Sequence, residues 1–210
     1  FLKKIYNQSI NYYQFIKSAL DRLFALILLV ILSPFFILFA LLIRFFMGNP
    51  IFFIQQRTGY KCKQFGLIKF RTMNYVRDSS GILLSDYKRL TFLGKFLRKT
   101  SIDELPSLIN IVKGDLSFIG PRPFIAEYLP LYNKEQIKRY DVKPGISGLA
   151  QVNGRNSISW DQKFKFDNEY VRNQSFFLDI KVFFITILKV ISMQGTDSSK
   201  VDTMSKFKGS

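Results

Sequence analysis

Asp103 and Glu104 are the only adjacent carboxylates in this 210-residue chain, and they stand inside LRKTSIDELPSL with Arg98, Lys99, Lys113 and Arg122 close in sequence. Two neighbouring acids can divide labour, one serving as a nucleophile while the other holds a divalent metal. The surrounding cations suit phosphate oxygens, the arginines by bidentate contact. The same residues also fit a purely structural role. Ser101-x-x-Glu104 matches a capping box, and acids in a first helical turn are favoured by the helix dipole. Spacing alone leaves both readings open.

Three further segments carry anion-binding chemistry. GDLSFIGPRP, residues 114–123, places Arg122 between two prolines that stiffen its backbone. KFRTM, residues 69–73, sets Lys69 and Arg71 at alternate positions of an expected strand, hence on one face, as a phosphate clamp or a solvated surface. PGISGLAQVNGR, residues 144–155, is a glycine-rich stretch ending in Arg155 that can bring backbone N–H groups to a nucleotide. No Walker A sequence, dinucleotide fingerprint or Asp-x-Asp pair occurs. The chain has no histidine, which excludes Ser-His and Cys-His nucleophile pairs and imidazole-ligated metals. A metal here must be held by oxygen, as Mg²⁺, Mn²⁺ or Ca²⁺ are. The single Cys62 permits no intrachain disulfide and suits a reducing compartment.

These residues must be positioned by elements with a pronounced asymmetry. Residues 23–43, LFALILLVILSPFFILFALLI, form an uncharged apolar run with Ser33 and Pro34 near its middle. A straight helix of that length would reach about 31 Å, the depth of a bilayer core. Pro34 argues against a straight helix, and the Ser33 hydroxyl is a candidate partner for a carbonyl that the proline frees. Lys3, Lys4, Lys17 and Arg22 precede the run, and Arg44, Arg57, Lys61, Lys63, Lys69 and Arg71 follow it. Lys and Arg collect on the cytoplasmic side, so a segment that enters, breaks at Ser33-Pro34 and returns satisfies both flanks. A proline-kinked spanning helix is the alternative. The start of the run far from the N-terminus and the lack of a small-x-small site argue against a cleaved signal peptide.

The expected organisation is a membrane-embedded segment with its lead-in over residues 1–45, a domain over 46–194 and a polar, loose tail over 195–210. Strands are expected at 50–56 and 66–73, joined by a turn at Gly59, and an interrupted helix at 124–140. Residues 176–193 read as an apolar helix that packs on the sheet or lies on the membrane. The fold class is therefore α+β: a membrane-associated domain with a re-entrant helix, interfacial amphipathic helices and a small β-sheet. The net charge of +16 favours nucleic acid, anionic lipid or phosphorylated small molecules. With a membrane segment and no recognisable nucleic-acid motif, lipid and a phosphorylated substrate fit best, and no nucleic-acid partner is expected.

The chain resembles the small monotopic polyprenyl-phosphate phosphoglycosyl transferases of bacteria, the PglC-like members of the bacterial sugar transferases. The likeness is carried by the Ser33-Pro34 segment, QQRTG at 55–59, KFRTM at 69–73, the long block 97–123, PGISGLAQVNGRNSISW at 144–160 and SFFLD at 175–179. It implies that Asp103 attacks the β-phosphorus of a UDP-sugar, releasing UMP, and that polyprenyl phosphate, as undecaprenyl phosphate, then takes the phosphosugar. It further implies that Glu104 binds Mg²⁺ and that Arg98 and Arg122 contact phosphate or substrate; Lys69 and Arg155, from the segments above, are taken with them as phosphate contacts. GRNSISW resembles enzymes that handle N-acetylated amino sugars. The implied location is the cytoplasmic face of the bacterial inner membrane, with downstream glycosyltransferases as possible partners. A UDP-releasing glycosyltransferase and a non-catalytic basic scaffold on the membrane surface remain the alternatives.

Overall fold

The computed structural model describes residues 2–154, 157–192 and 206–209, with side chains from Tyr12 onward. Two helices open the chain: α1, Leu2–Ile31, and α2, Ser33–Met47. They are bent by 65° at the break between them. The cause is local. Pro34 lacks the N–H that would reach the Val30 carbonyl, and the Ser33 hydroxyl donates to that same carbonyl at 2.8 Å. The proline thus breaks the helix without orphaning its partner. Among the described residues no single helix is long and apolar enough to cross a membrane, but the bent pair is so by length and composition.

Both arms expose large apolar side chains, Val30, Ile31, Leu41 and Phe45 among them. Each arm also packs against the rest of the protein. Ala25 of α1 is fully buried with Leu108, Ile111 and Leu116, and Ile43 of α2 with Phe70 and Leu97. A polar seam fixes the lower part of α1. Lys17 pairs with Asp179 at 2.7 Å, and the hydroxyl of Ser117 donates to Asp21 at 2.6 Å.

Strand β1, Phe52–Thr58, pairs antiparallel with β2, Gln64–Phe70, so that Phe52 faces Phe70 and Thr58 faces Gln64. β1 lies two residues later than the apolar pattern suggests, and β2 stops before Arg71. Arg71 is therefore not a strand neighbour of Lys69 on a shared face. Its buried guanidinium donates to the carbonyls of Met47, Gly48 and Asn49, closing the C-terminal end of α2. It is neither the expected phosphate clamp nor a solvated charge.

Short helices α3, Asp86–Arg89, and α4, Phe92–Lys99, follow; the Thr91 hydroxyl caps α4 by accepting from the Gly94 N–H at 2.9 Å. A 3₁₀ turn over Ile102–Ser107 runs into α5, Leu108–Lys113, which ends at Gly114 in the left-handed conformation. A second small sheet joins β3, Ser117–Ile119, in parallel to β4, Gly145–Ser147. Between them residues 126–141 form two 3₁₀ turns and the short helix α6, Lys134–Ile137. After β4 come α7, Leu149–Val152, α8, Trp160–Asn173, and α9, Phe176–Ile191. Val182 of α9 packs with Ile119, Val142, Val152 and Tyr170, while Phe177, Phe184 and Leu188 stay exposed. The described residues form a mixed, mainly helical fold with two small sheets rather than one.

Candidate active site

Asp103 and Glu104 sit in the 3₁₀ turn Ile102–Ser107, but not as a helix cap. Ser101 adopts φ 58°, and its side chain accepts no capping hydrogen bond. The capping box therefore does not form. Glu104 instead ion-pairs through one oxygen with Lys69 at 2.6 Å and Arg122 at 2.7 Å. Lys69 is aimed by an arrangement that the sequence does not advertise. The Asn110 amide of α5 extends the β2 ladder, accepting from the Ile68 N–H at 3.0 Å and donating to the Gly66 carbonyl at 2.9 Å. That clip locks α5, and the turn preceding it, against the strand that carries Lys69.

Arg122 is held by its own backbone. Four consecutive carbonyls, from Pro121 to Phe124, each accept a hydrogen bond from a different residue. The Gly145 N–H reaches Pro121 at 3.0 Å, and the Arg139 guanidinium reaches Arg122 at 2.7 Å. Arg57 reaches Pro123 at 3.1 Å, and the Thr58 N–H reaches Phe124 at 3.0 Å. Arg139 is itself wholly buried, paired with Asp167 at 2.7 Å and stacked over Phe124 at 3.7 Å.

The two carboxyls are pushed in opposite directions. Burial, and then the charge of Glu104, raise Asp103 to about 6 against the pull of Lys69, Arg98 and Arg122. Burial would raise Glu104 as well, but the charges and hydrogen bonds of Arg122 and Lys69 outweigh it and hold that carboxyl well below the usual range. Among the described residues the Asp103 carboxylate has no hydrogen-bond or ion-pair partner. One acid is thus locked as an anion, and the other stands free and more basic than usual.

A small cleft is lined by Arg57, Lys69, Glu104, Ser107, Arg122 and Gly145. Among the described residues Arg57 has no carboxylate partner. Its guanidinium bonds there only to the Pro123 carbonyl and the Gln55 amide oxygen, and burial and the nearby Arg122 lower it to about 10. Arg98, whose charge acts on Asp103, bonds to the Thr72 hydroxyl at 3.0 Å. Four cations therefore act on two carboxylates, which leaves a surplus of two positive charges for an anionic ligand. Sequence reading missed Arg57 as a site residue; its place in QQRTG was visible, but the turn that returns β1 beside Arg122 was not.

Residues 12–193 match the family described as Bacterial sugar transferase. The chain belongs to that family. It is 50% identical over 195 residues to the uncharacterised sugar transferase EpsL of Bacillus subtilis, covering 91% of this chain and 96% of the relative. It is 34% identical over 197 residues to the exopolysaccharide production protein ExoY of Rhizobium meliloti, covering 86% and 87%. It is 36% identical over 202 residues to the undecaprenyl-phosphate galactose phosphotransferase of Salmonella typhimurium, covering 87% of this chain and 42% of that longer protein. Of the residues singled out from the sequence of this bacterial sugar transferase, the fold brings Lys69, Arg98, Asp103, Glu104 and Arg122 together. Arg155 lies outside the described residues.

The donor set bears on a metal. Among the described residues no group of three or more His, Cys, Asp or Glu side chains converges. Two adjacent carboxylates do not make an all-protein cage. They do fit Mg²⁺, which binds through one or two carboxylates and completes its shell with water and substrate phosphates.

Proposed function

We propose that this sugar transferase moves a sugar-1-phosphate from a UDP-sugar to polyprenyl phosphate, with undecaprenyl phosphate as the acceptor and UMP as the released product. The observation that carries the reading is the surplus of cations around one unpaired carboxylate. Lys69, Arg98 and Arg122 act on Asp103, the free acid beside Glu104, while Arg57 lines the cleft with Lys69, Glu104 and Arg122, and the surplus of two charges matches a diphosphate. The Salmonella relative, named for phosphotransfer to an undecaprenyl carrier, supports the same reaction class.

In the first step an Asp103 oxygen attacks the β-phosphorus. The bond from that phosphorus to the bridging oxygen breaks, and UMP leaves with the electron pair. In the second step an oxygen of the lipid phosphate attacks the same phosphorus, and the aspartyl carboxylate departs unchanged. A carboxyl raised to about 6 is largely ionised at neutral pH yet more basic than an ordinary aspartate, which favours nucleophilic attack. The arginines and Lys69 offset the repulsion between that anion and the diphosphate. Glu104 would hold Mg²⁺, which supplies further neutralisation of phosphate charge when bound.

The same reading places the protein on the cytoplasmic face of the bacterial inner membrane as a monotopic enzyme. Both arms of the bent helix pair pack on the one catalytic body, at Ala25 and Ile43, which supports a segment that enters and returns on one side. A soluble donor and a lipid acceptor then meet at the foot of that pair. The donor sugar is an N-acetylated amino sugar on the likeness of GRNSISW; the galactose in the Salmonella relative's name makes a hexose its direct competitor.

The test is nucleotide release by detergent-purified protein with Mg²⁺, undecaprenyl phosphate and a panel of UDP-N-acetylhexosamines, UDP-glucose and UDP-galactose. UMP release dependent on the lipid is expected, and the donor that supports it identifies the sugar. UDP release would mean that the sugar–phosphate bond is cleaved and would overturn the role of Asp103.

A further inference from the structure

Phe207 lies more than eighty residues from Arg122 in sequence yet belongs to the packing behind it. The residue is 5% exposed. Its ring lies 5.1 Å from Trp160, 5.4 Å from both Tyr132 and Phe164, and 6.0 Å from Tyr128. Trp160 and Phe164 in turn stand 4.9 Å and 6.2 Å from Phe124. Phe124 is the last residue of the four-carbonyl stretch that carries Arg122, and it supports the guanidinium of Arg139 at 3.7 Å. That guanidinium donates to the Arg122 carbonyl at 2.7 Å. An unbroken series of contacts therefore runs from Phe207 through the aromatic cluster to the backbone of Arg122, whose side chain meets Glu104.

We propose that Phe207 is a positioning residue for Arg122, and that docking of residues 206–209 sets how well the cleft binds the phosphates of the nucleotide. The proposal rests on the reading of that cleft as a UDP-sugar site. Its physical basis is the density of packed interiors. When a buried ring is truncated, its neighbours relax toward the space it leaves. Here those neighbours are Trp160 and Phe164, and the next ring inward is Phe124. A displacement well under 1 Å at Phe124 changes where Arg139 meets the Arg122 carbonyl, and misplacements on that scale weaken a site built on fixed geometry. By linkage the effect is reciprocal: if docking strengthens nucleotide binding, bound nucleotide must strengthen docking by the same factor.

The chain offers a direct reporter, because Trp160 is its one tryptophan. The experiment compares the full chain with Phe207→Ala and Phe207→Leu, measuring UMP affinity in Mg²⁺ by equilibrium dialysis, Trp160 emission and thermal midpoint. Phe207→Ala should shift Trp160 emission to the red and weaken UMP binding about tenfold, while Phe207→Leu, which keeps most of the volume, recovers most of the affinity. UMP should also return part of the emission shift in Phe207→Ala. A shifted emission spectrum with unchanged UMP affinity would overturn the inference while leaving the enzymatic reading in place, since the ring would have left without consequence. A parent protein that neither binds UMP nor releases it from any donor would instead remove the reading on which the inference stands. Loss of thermal stability alone, with equal UMP affinity below the transition, would mark Phe207 as structural and nothing more.

Discussion

Asp103→Asn should make the folded protein more stable while abolishing its chemistry, and the gain should appear only above pH 4. The Asp103 carboxyl is raised from 3.8 to about 6 in the folded protein. A carboxyl raised on folding is held more tightly as the acid, so ionising it costs the folded state. That cost is absent below the unfolded value near 4, grows between about 4 and 6, and is complete above about 6. Two units at about 1.4 kcal/mol each set a ceiling of about 3 kcal/mol. Asparagine keeps the shape and never ionises, so it removes the penalty. For a chain of this size the ceiling corresponds to a rise in melting temperature of roughly ten degrees. The assay is thermal unfolding of both proteins in the same detergent with EDTA, at pH 4, 5, 6, 7 and 8, beside UMP release at pH 7.5 with Mg²⁺. The difference should be near zero at pH 4 and several degrees in favour of the variant at pH 7 and above, with UMP release lost. A helix-capping acid has the opposite sign, its loss costing about half a kcal/mol. A less stable variant, or a gain equally large at pH 4, would refute the account of Asp103 as a half-buried, unpaired carboxylate.

Four further outcomes follow from the same geometry. The first half-reaction needs the Asp103 anion, so single-turnover UMP release should be level above about pH 7 and fall about tenfold per unit below about 6; a rate indifferent to pH between 5 and 7 contradicts this. Arg139→Met should cost about 3–5 kcal/mol because it strands the buried Asp167 carboxylate, whereas Arg139→Met with Asp167→Leu should recover much of that stability in urea titrations yet still bind UMP poorly, having lost the bond to the Arg122 carbonyl. Arg71→Gln should lower the free energy of unfolding by about 1–3 kcal/mol through the carbonyls it leaves at the end of α2, with no increase in the KM for donor beyond twofold. With Cys62 replaced by serine, cysteines at Tyr12 and Asn49 should label from the same face of sealed vesicles; labelling from opposite faces would mean that the bent pair spans.

The legible parts of this chain are those where local chemistry decides the outcome. Ser33-Pro34 marked the helix break because proline removes one particular donor, and the serine that answers it is adjacent in sequence. The carboxylate pair was legible as a pair, but its surroundings were not, and the capping-box pattern shows why. Ser101 and Glu104 have the spacing of a cap, yet Ser101 lies in the left-handed region, and Glu104 gains far more from two cations than from one backbone N–H. Tertiary electrostatics overrode a local motif. Arg71 failed for a related reason: alternation assigns faces only while the strand lasts, and β2 ends at Phe70, one residue short of it. Lys69, still within the strand, goes to the site, while its neighbour two positions on turns to the end of α2. Arg57 and Phe207 were out of reach altogether, since each acquires its position from a return of the chain that no local pattern encodes. Sequence therefore discloses the reacting groups more readily than the residues that aim them, because reactivity resides in a side chain's type and aim resides in contacts between distant segments.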